Sequence, residues 1–423
     1  MGETRELEIR RLGAQGDGVA QAPEGPIYVR YALPGERVRA EVVGERNRLV
    51  EVLEASADRV APICRHFGVC GGCAAQHMSA SLYRSWKEEI VRAAFAHRGL
   101  EAQIAPLAAL PPGTRRRAVL GAVRDKQGVR LGFRQEAAHA LVDIEECAVL
   151  LPVIVAALPV LRKLTATALP GSGEGRMTVT ATPVGLDVAL DTDQIVAGPE
   201  AAAELADLTA RHGIARFMLN GDLIALRAKP ALTFAGVSVA LPPKAFVQAA
   251  PEAEAMMTDL VVAAAGKAKN VADLFCGIGT FTLPLARKAR VLAVDGDRAA
   301  VAALKEAARH AQGTKVIEAK VRDLSREPLS RMELHPFDAV LFDPPRAGAK
   351  AQAEALAGSK VPVVIAVSCN PATLARDARI LVDGGYRIER VSPIDQFVFS
   401  AQVEAIAVLR RRDQARPSSS RAT

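Results

Sequence analysis

Along the first 55 residues, short apolar strings alternate with Gly and Pro: "LEIRRLGAQGDGVA", "GPIYVRYALPGERVRAEVV" and "RLVEVLEA". Short strands punctuated by closely spaced turn signals predict a small β-barrel over residues 1–59. A module of this size commonly serves as a binding platform and is too small for catalysis of its own. The pattern then turns helical in "SLYRSWKEEIVRAAFAHRGL", followed by strand-like "RRRAVLGAVRD" and "VRLGFRQ". An Ala/Leu-rich helix and the strands "RMTVTATPVGLDVAL" and "DLIALRA" complete a stretch that reads as one α+β domain, residues 60–245, ending near "LPPKAFVQ".

From residue 250 the pattern changes again. A helix, "PEAEAMMTDLVVAAAG", leads into seven strand candidates: "VADLF", "VLAVDG", "KVIEAK", "FDAVLFDPP", "VPVVIAVSC", "YRIERVSP" and "VEAIAVLRR". Helical stretches separate the first five, which predicts parallel strands with crossover helices. The last two lie close together and are expected to pair antiparallel. Residues 246–412 therefore read as a doubly wound α/β domain, and 413–423 as a disordered basic tail.

Composition narrows the class. In a chain of 423 residues, 50% are apolar and 24% charged, as in ordinary globular proteins. The longest apolar runs, such as "LPVIVAALPVL", are too short for a membrane span, and the charged start shows no secretory signal. A cytoplasmic protein is expected. The formal net charge is +7, and its distribution says more. Residues 1–59 carry 9 basic and 11 acidic side chains, whereas residues 60–150 carry 12 and 8. The run Arg115, Arg116, Arg117 sits in that basic middle, which favours contact with phosphates.

"VADLFCGIGTFTLPLA" is a strand, a glycine turn and a helix. Gly277 and Gly279 permit a sharp turn and close approach of a ligand. The third glycine of a dinucleotide fingerprint is missing, as is the Gly-Lys-Ser/Thr of a phosphate loop. Asp295 ends the next strand, where a ribose hydroxyl pair would lie. A nucleoside-bearing cofactor without a pyrophosphate fits, and S-adenosylmethionine is one. The buried-looking Cys276 within the turn reads as a packed small hydrophobe.

In doubly wound sheets, ligands bind outside the carboxyl ends of the parallel strands. Asp295, Asp343 of "DPP" and Cys369 end the second, fourth and fifth strands, so they project to one edge. Glu404 opens the seventh strand and reaches the same edge if that strand is antiparallel.

The segments "DLFCGIGTFTLPLA", "LFDPPRAGA" and "VSCNPATLARD" resemble the signature segments of the RNA uracil-5-methyltransferases. "FVQAAPEAEAMM" resembles the family's cofactor-contacting Gln segment, and residues 1–59 look like its TRAM RNA-binding barrel. The resemblance implies a Rossmann-like, seven-stranded class I methyltransferase domain. It assigns Gln248, Phe275, Thr280, Asp295, Asp323 and Asp343 to S-adenosylmethionine, Cys369 to the nucleophile and Glu404 to the proton-abstracting base. The chemistry behind those roles is specific. C5 of uracil is a poor nucleophile until a thiolate adds at C6, and a base must then remove the C5 proton before the thiolate leaves. Val398 and Gln402 stand where the family usually has Pro and His, Asp295 where Glu is usual, and Ala250 where Asn is usual.

"CRHFGVCGGC" places Cys64, Cys70 and Cys73 at C-x5-C-x2-C spacing, with Cys147 following in "DIEECAVL". Zinc sites favour paired C-x2-C knuckles, and only one is present. Four thiolates with Gly71 and Gly72 between them suit an iron–sulfur cluster. The resemblance implies the [4Fe–4S] site of the ribosomal RNA members. His66 and His77 read as surface residues or neighbours of the ligands. The sequence thus points to methylation of 23S ribosomal RNA by a monomer. A tRNA uracil-5-methyltransferase and a non-catalytic RNA-binding ribosome-assembly factor are the rival readings.

Overall fold

The computed structural model describes residues 3–44, 47–135, 140–169, 171–193 and 198–412. The expected basic tail, 413–423, lies outside the described residues. The chain forms two compact units: Met1–Ile90, Leu107–Met256 and Ile394–Val403 in one, and Val91–Pro106, Met257–Pro393 and Glu404–Thr423 in the other.

The first unit opens with β1 (Glu3–Leu12), β2 (Gly18–Ala22), β3 (Gly25–Val29), β4 (Arg37–Val42) and β5 (Arg48–Glu54), in spatial order β3-β2-β1-β4-β5. Val29 bridges Asn47 across the two edges, so the sheet curls towards a barrel. Its alternating pattern turns Ile9, Val29, Val38 and Ala40 inward, while Arg37 and Arg39 pair with glutamates in solvent. Such exposed pairs contribute little stability.

Helix α1 (Ala80–Ala96) follows. A second sheet then combines β6 (Arg117–Asp125), β7 (Gly128–Arg134), β8 (Leu141–Asp143), β9 (Gly173–Thr182), β10 (Gly185–Thr192), β11 (Ile214–Leu219) and β12 (Asp222–Leu226), ordered β12-β11-β10-β9-β6-β7-β8. Helices α2 (Leu158–Ala168) and α3 (Pro199–Arg211) supply apolar stripes, including Leu161, Leu164 and Leu205, to its core.

The second unit carries the α/β pattern. Its sheet runs through β13 (Asn270–Leu274), β14 (Arg290–Asp295), β15 (Ile317–Val321), β16 (Ala339–Phe342), β17 (Val363–Ser368), β18 (Tyr386–Asp395) and β19 (Glu404–Arg411), ordered β15-β14-β13-β16-β17-β19-β18. The first five are parallel, and β19 runs antiparallel to β17. The last two residues of β18 belong to the first unit, and the two-residue strand Ala108–Ala109 pairs with them as an eighth strand where seven were expected. Both β16 and β17 are buried at every position. That explains why they read as continuous apolar runs rather than alternations. Helices α4 (Thr282–Ala286), α5 (Arg298–His310), α6 (Lys350–Ala357) and α7 (Pro371–Asp383) are the crossovers. Among the described residues, no helix is long and apolar enough to cross a membrane.

Candidate active site

The glycine turn after β13 is built as its sequence demands. Phe275, Gly277 and Gly279 all have positive φ, at 61°, 53° and 95°. A Cβ on Gly279 would lie 2.5 Å from Leu304, so the turn packs directly on α5. Gly277 is different, because a Cβ there would meet nothing within 4 Å. That open backbone is where a ligand can approach. The Gly277 N–H donates to Asp295 Oδ2 at 2.8 Å, and the Asp297 N–H donates to Oδ1 at 2.8 Å. These bonds fix the Asp295 carboxylate beside the turn, with lone pairs remaining for a hydroxyl ligand.

The other expected acids gather at the same strand ends. The Arg322 N–H donates to the Asp295 carbonyl, and Asp323 packs beside Gly296. Asp323 is exposed and accepts from the Ser325 hydroxyl and N–H, which holds its carboxyl below the usual range. The Asp343 N–H donates to the Leu274 carbonyl at 3.2 Å, placing it against the turn. Thr280 is buried within the turn. Gln248 lies in the first unit, where it is buried and accepts from Gln396 Nε2 at 3.0 Å.

Cys369 sits between the end of β17 and the start of α7. The Asn370 side chain caps α7 by accepting from the Ala372 N–H, and its Nδ2 donates to the Arg346 carbonyl. Ser368 Oγ accepts from the Asn370 N–H at 3.1 Å, so both neighbours of Cys369 are fixed. In the β17–β19 register Ser368 faces Ala405, which brings Cys369 and Glu404 to adjoining positions on neighbouring strands. Glu404 is buried at 3% exposure, whereas Cys369 is half-buried. Burial pushes the Cys369 thiol up to about 11; the carboxylates of Glu404 and Asp343 add to this, and Arg346 opposes it.

Four further free cysteines line one cavity in the first unit. Cys64, Cys70, Cys73 and Cys147 share about 290 Å³ with Arg115, Arg117 and Gln402. Burial pushes the Cys73 thiol up to about 12 and raises Cys70 and Cys147, and each thiol feels the charge of others in the set. Among the described residues, no group of three or more His, Cys, Asp or Glu side chains could hold a metal ion. His66 lines the cavity, and its Nε2 accepts from the Glu145 N–H. His77 is not a surface residue: it is 1% exposed against the rings of Tyr31 and Phe67. Burial lowers its pKa to about 4 and keeps it neutral.

Comparison with known proteins bears on this site. Residues 237–412 match the family described as tRNA (uracil-5-)-methyltransferase. An RNA methyltransferase of Brucella suis is 49% identical over 97% of this chain and 99% of its own length. The 23S rRNA (uracil(1939)-C(5))-methyltransferase RlmD of Halomonas elongata is 36% identical over 97% of this chain and 90% of its own. The chain belongs to the RNA uracil-5-methyltransferase family. The fold of this methyltransferase is also that of the Pyrococcus abyssi tRNA (uracil-54, C5)-methyltransferase solved with S-adenosyl-L-homocysteine. That match has a TM-score of 0.75 and 24% identity, covering 96% of this chain and all of that one.

One buried acid of the methyltransferase escaped the sequence reading. Asp273, within β13, is fully buried; Oδ2 accepts from Thr282 Oγ1 at 2.5 Å, while Oδ1 has no partner. Burial raises its carboxyl to about 7, with the charges of Asp343 and Asp295 adding to the shift. Its signal was present, as a lone Asp in an apolar strand directly before the glycine turn.

Proposed function

We propose that this enzyme methylates C5 of a specific uridine in 23S ribosomal RNA through a covalent Cys369 adduct. The observation that carries the reading is the β17–β19 register, which sets Cys369 beside Glu404 at the strand edge that also holds the glycine turn. S-adenosylmethionine supplies the methyl group when bound, and the open Gly277 backbone with Asp295 beside it fits such a ligand. Phe275, Thr280, Asp295, Asp323, Asp343 and Gln248 are its proposed contacts.

The Cys369 thiol releases its proton to water as its sulfur adds to C6 of the uracil ring, and the ring electrons flow towards C5 and O4, making C5 the nucleophile. Once C5 carries its new methyl group, Glu404 takes the C5 proton. The electron pair left behind re-forms the C5–C6 double bond and expels the thiolate. The resting thiol is mainly protonated at neutral pH, which suits an attack made only when substrate is present. The base must leave any helical stack to reach such a cleft, so the target is a loop or single-stranded uridine.

Support for the ribosomal substrate comes from the 36% identical RlmD. Cys64, Cys70, Cys73 and Cys147 are the proposed ligands of a [4Fe–4S] cluster. Four free thiols around one cavity fit a group larger than a single ion. Residues 1–59 are proposed as the TRAM RNA-binding barrel, 60–245 as the central RNA-binding domain and 246–412 as the catalytic domain of a cytoplasmic monomer. The test is nucleoside mass spectrometry with site mapping on RNA from a deletion strain. Loss of one 5-methyluridine from 23S RNA is expected, and loss confined to tRNA overturns the substrate assignment.

A further inference from the structure

The segment Ile394–Val403 belongs to the first unit and is tied down by one buried ammonium. Lys87, on α1, has no exposed surface, nor does Asp395. Its Nζ lies 2.9 Å from Asp395 Oδ1, 3.4 Å from the Phe397 carbonyl and 2.5 Å from the Gln402 carbonyl. The three protons of the ammonium thus hold the beginning and the end of the segment together. Tyr83 secures the middle. Its hydroxyl donates to Asp395 Oδ2 at 2.5 Å and accepts from the Phe399 N–H at 2.9 Å. Phe399 has a positive φ of 61°, and its carbonyl accepts from the N–H groups of Ala74 and Ala75, immediately after Cys73.

Alternate residues Val398, Ser400 and Gln402 line the cavity of the four cysteines. Just before them, Phe397 lies under the Arg115 guanidinium, which lines the same cavity. A segment with little regular structure is therefore bonded both to α1 and to the cysteine loop, with one face turned to the thiols.

We infer that Ile394–Val403 is a strap forming one wall of the cysteine cavity, and that Lys87 is the positioning residue holding that wall shut. The strap shields the thiols, and whatever they hold, from solvent and oxidants. Its benefit to a cluster rests on the [4Fe–4S] reading, while the wall itself does not. Lys87→Met alone leaves Asp395 buried without its cation and threatens folding. The informative variant is Lys87→Met/Asp395→Leu, which removes both charges, keeps the volume apolar and frees the Phe397 and Gln402 carbonyls.

The full-length wild type and this double variant are purified without oxygen, assayed for iron and sulfide, and exposed to air while the visible absorption is followed. Equal initial loading and a cooperative melt, at a temperature lowered by the freed carbonyls and the Tyr83 hydroxyl, are expected, with bleaching about tenfold faster in the variant because the wall opens more often. Bleaching at the wild-type rate in a variant that melts cooperatively overturns the strap. Should the wild type lack iron and sulfide, the cluster reading fails, and iodoacetamide labelling of Cys64, Cys70, Cys73 and Cys147 takes over as the readout. Faster labelling in the variant supports the strap; equal labelling overturns it.

Discussion

The molecule uses cysteine in two settings, and the contrast lies in what surrounds the sulfur. Cys64, Cys70, Cys73 and Cys147 line a single cavity with Arg115 and Arg117. Arg115 is the cation that acts on Cys147, in the sense that favours its thiolate. Four thiolates around the proposed cluster would need that compensation. Cys369 instead stands alone at a strand end with two carboxylates near it, Glu404 and Asp343, and both raise its pKa. Ligation calls for thiolates that persist, whereas a nucleophile can stay protonated until substrate arrives. Burial is the largest influence in both places; the charged neighbours differ in kind, other thiols with Arg115 in the cavity, and two carboxylates opposed by Arg346 at Cys369.

The comparison can be broken at several points. Cys369→Ala should lower methyl transfer by at least about a thousandfold, with cofactor and RNA binding retained in equilibrium assays. Glu404→Gln should lower turnover by roughly 10²–10⁴-fold. It should also accumulate a denaturant-stable protein–RNA adduct carrying the new methyl group. The same variant should react faster with iodoacetamide at Cys369, by up to about tenfold at neutral pH, because a charge opposing thiolate formation is gone. Normal turnover in Glu404→Gln removes Glu404 from its proposed role.

Serine at Cys64, Cys70, Cys73 or Cys147 should each lower iron and sulfide content and impair folding or RNA positioning more than cofactor binding. Calorimetric titration with S-adenosylhomocysteine checks the latter. An effect confined to cofactor affinity contradicts the division between the two cysteine settings.

The smallest expected effect concerns Asp273. Its folded carboxyl, raised to about 7, holds its proton more tightly than in the unfolded chain. Its contribution is therefore fully present below about pH 4 and is lost as pH rises through about 7. Asp273→Asn should gain stability on the wild type across that window, by up to about 4 kcal/mol, less the cost of burying the amide. Denaturant melts at the two ends of the window measure it; a difference independent of pH contradicts the assignment.

The parallel strands were legible because burial on both faces leaves continuous apolar runs, as in "VVIAVS", and the glycine turn because Gly277 and Gly279 need positive φ. The short connection between β18 and β19 pointed to an antiparallel β19, the condition under which Glu404 reaches the Cys369 edge, and β19 does run antiparallel to β17. Lys87 was illegible for a non-local reason. In "SWKEEI" it looks solvated, yet its partner Asp395 lies more than three hundred residues away in the chain. His77 misled for a related reason, since its burial depends on Tyr31 and Phe67 from separate loops. The membership of Ile394–Val403 in the first unit has no periodic signature, because irregularly spaced apolar residues such as Phe399 and Ala401 and hydrogen bonds to a side-chain ammonium hold it together.

The central claim is that methylation at this site passes through a covalent bond from Cys369 to the uracil ring. Fluorine at C5 cannot be removed as a proton, so a 23S RNA fragment transcribed with 5-fluorouridine should trap the active enzyme with S-adenosylmethionine as a denaturant-stable complex. The account predicts a single such complex for the wild type, with the modified peptide containing Cys369, and none for Cys369→Ala. Efficient methylation of the unsubstituted fragment without any stable complex on the fluorinated one would contradict it.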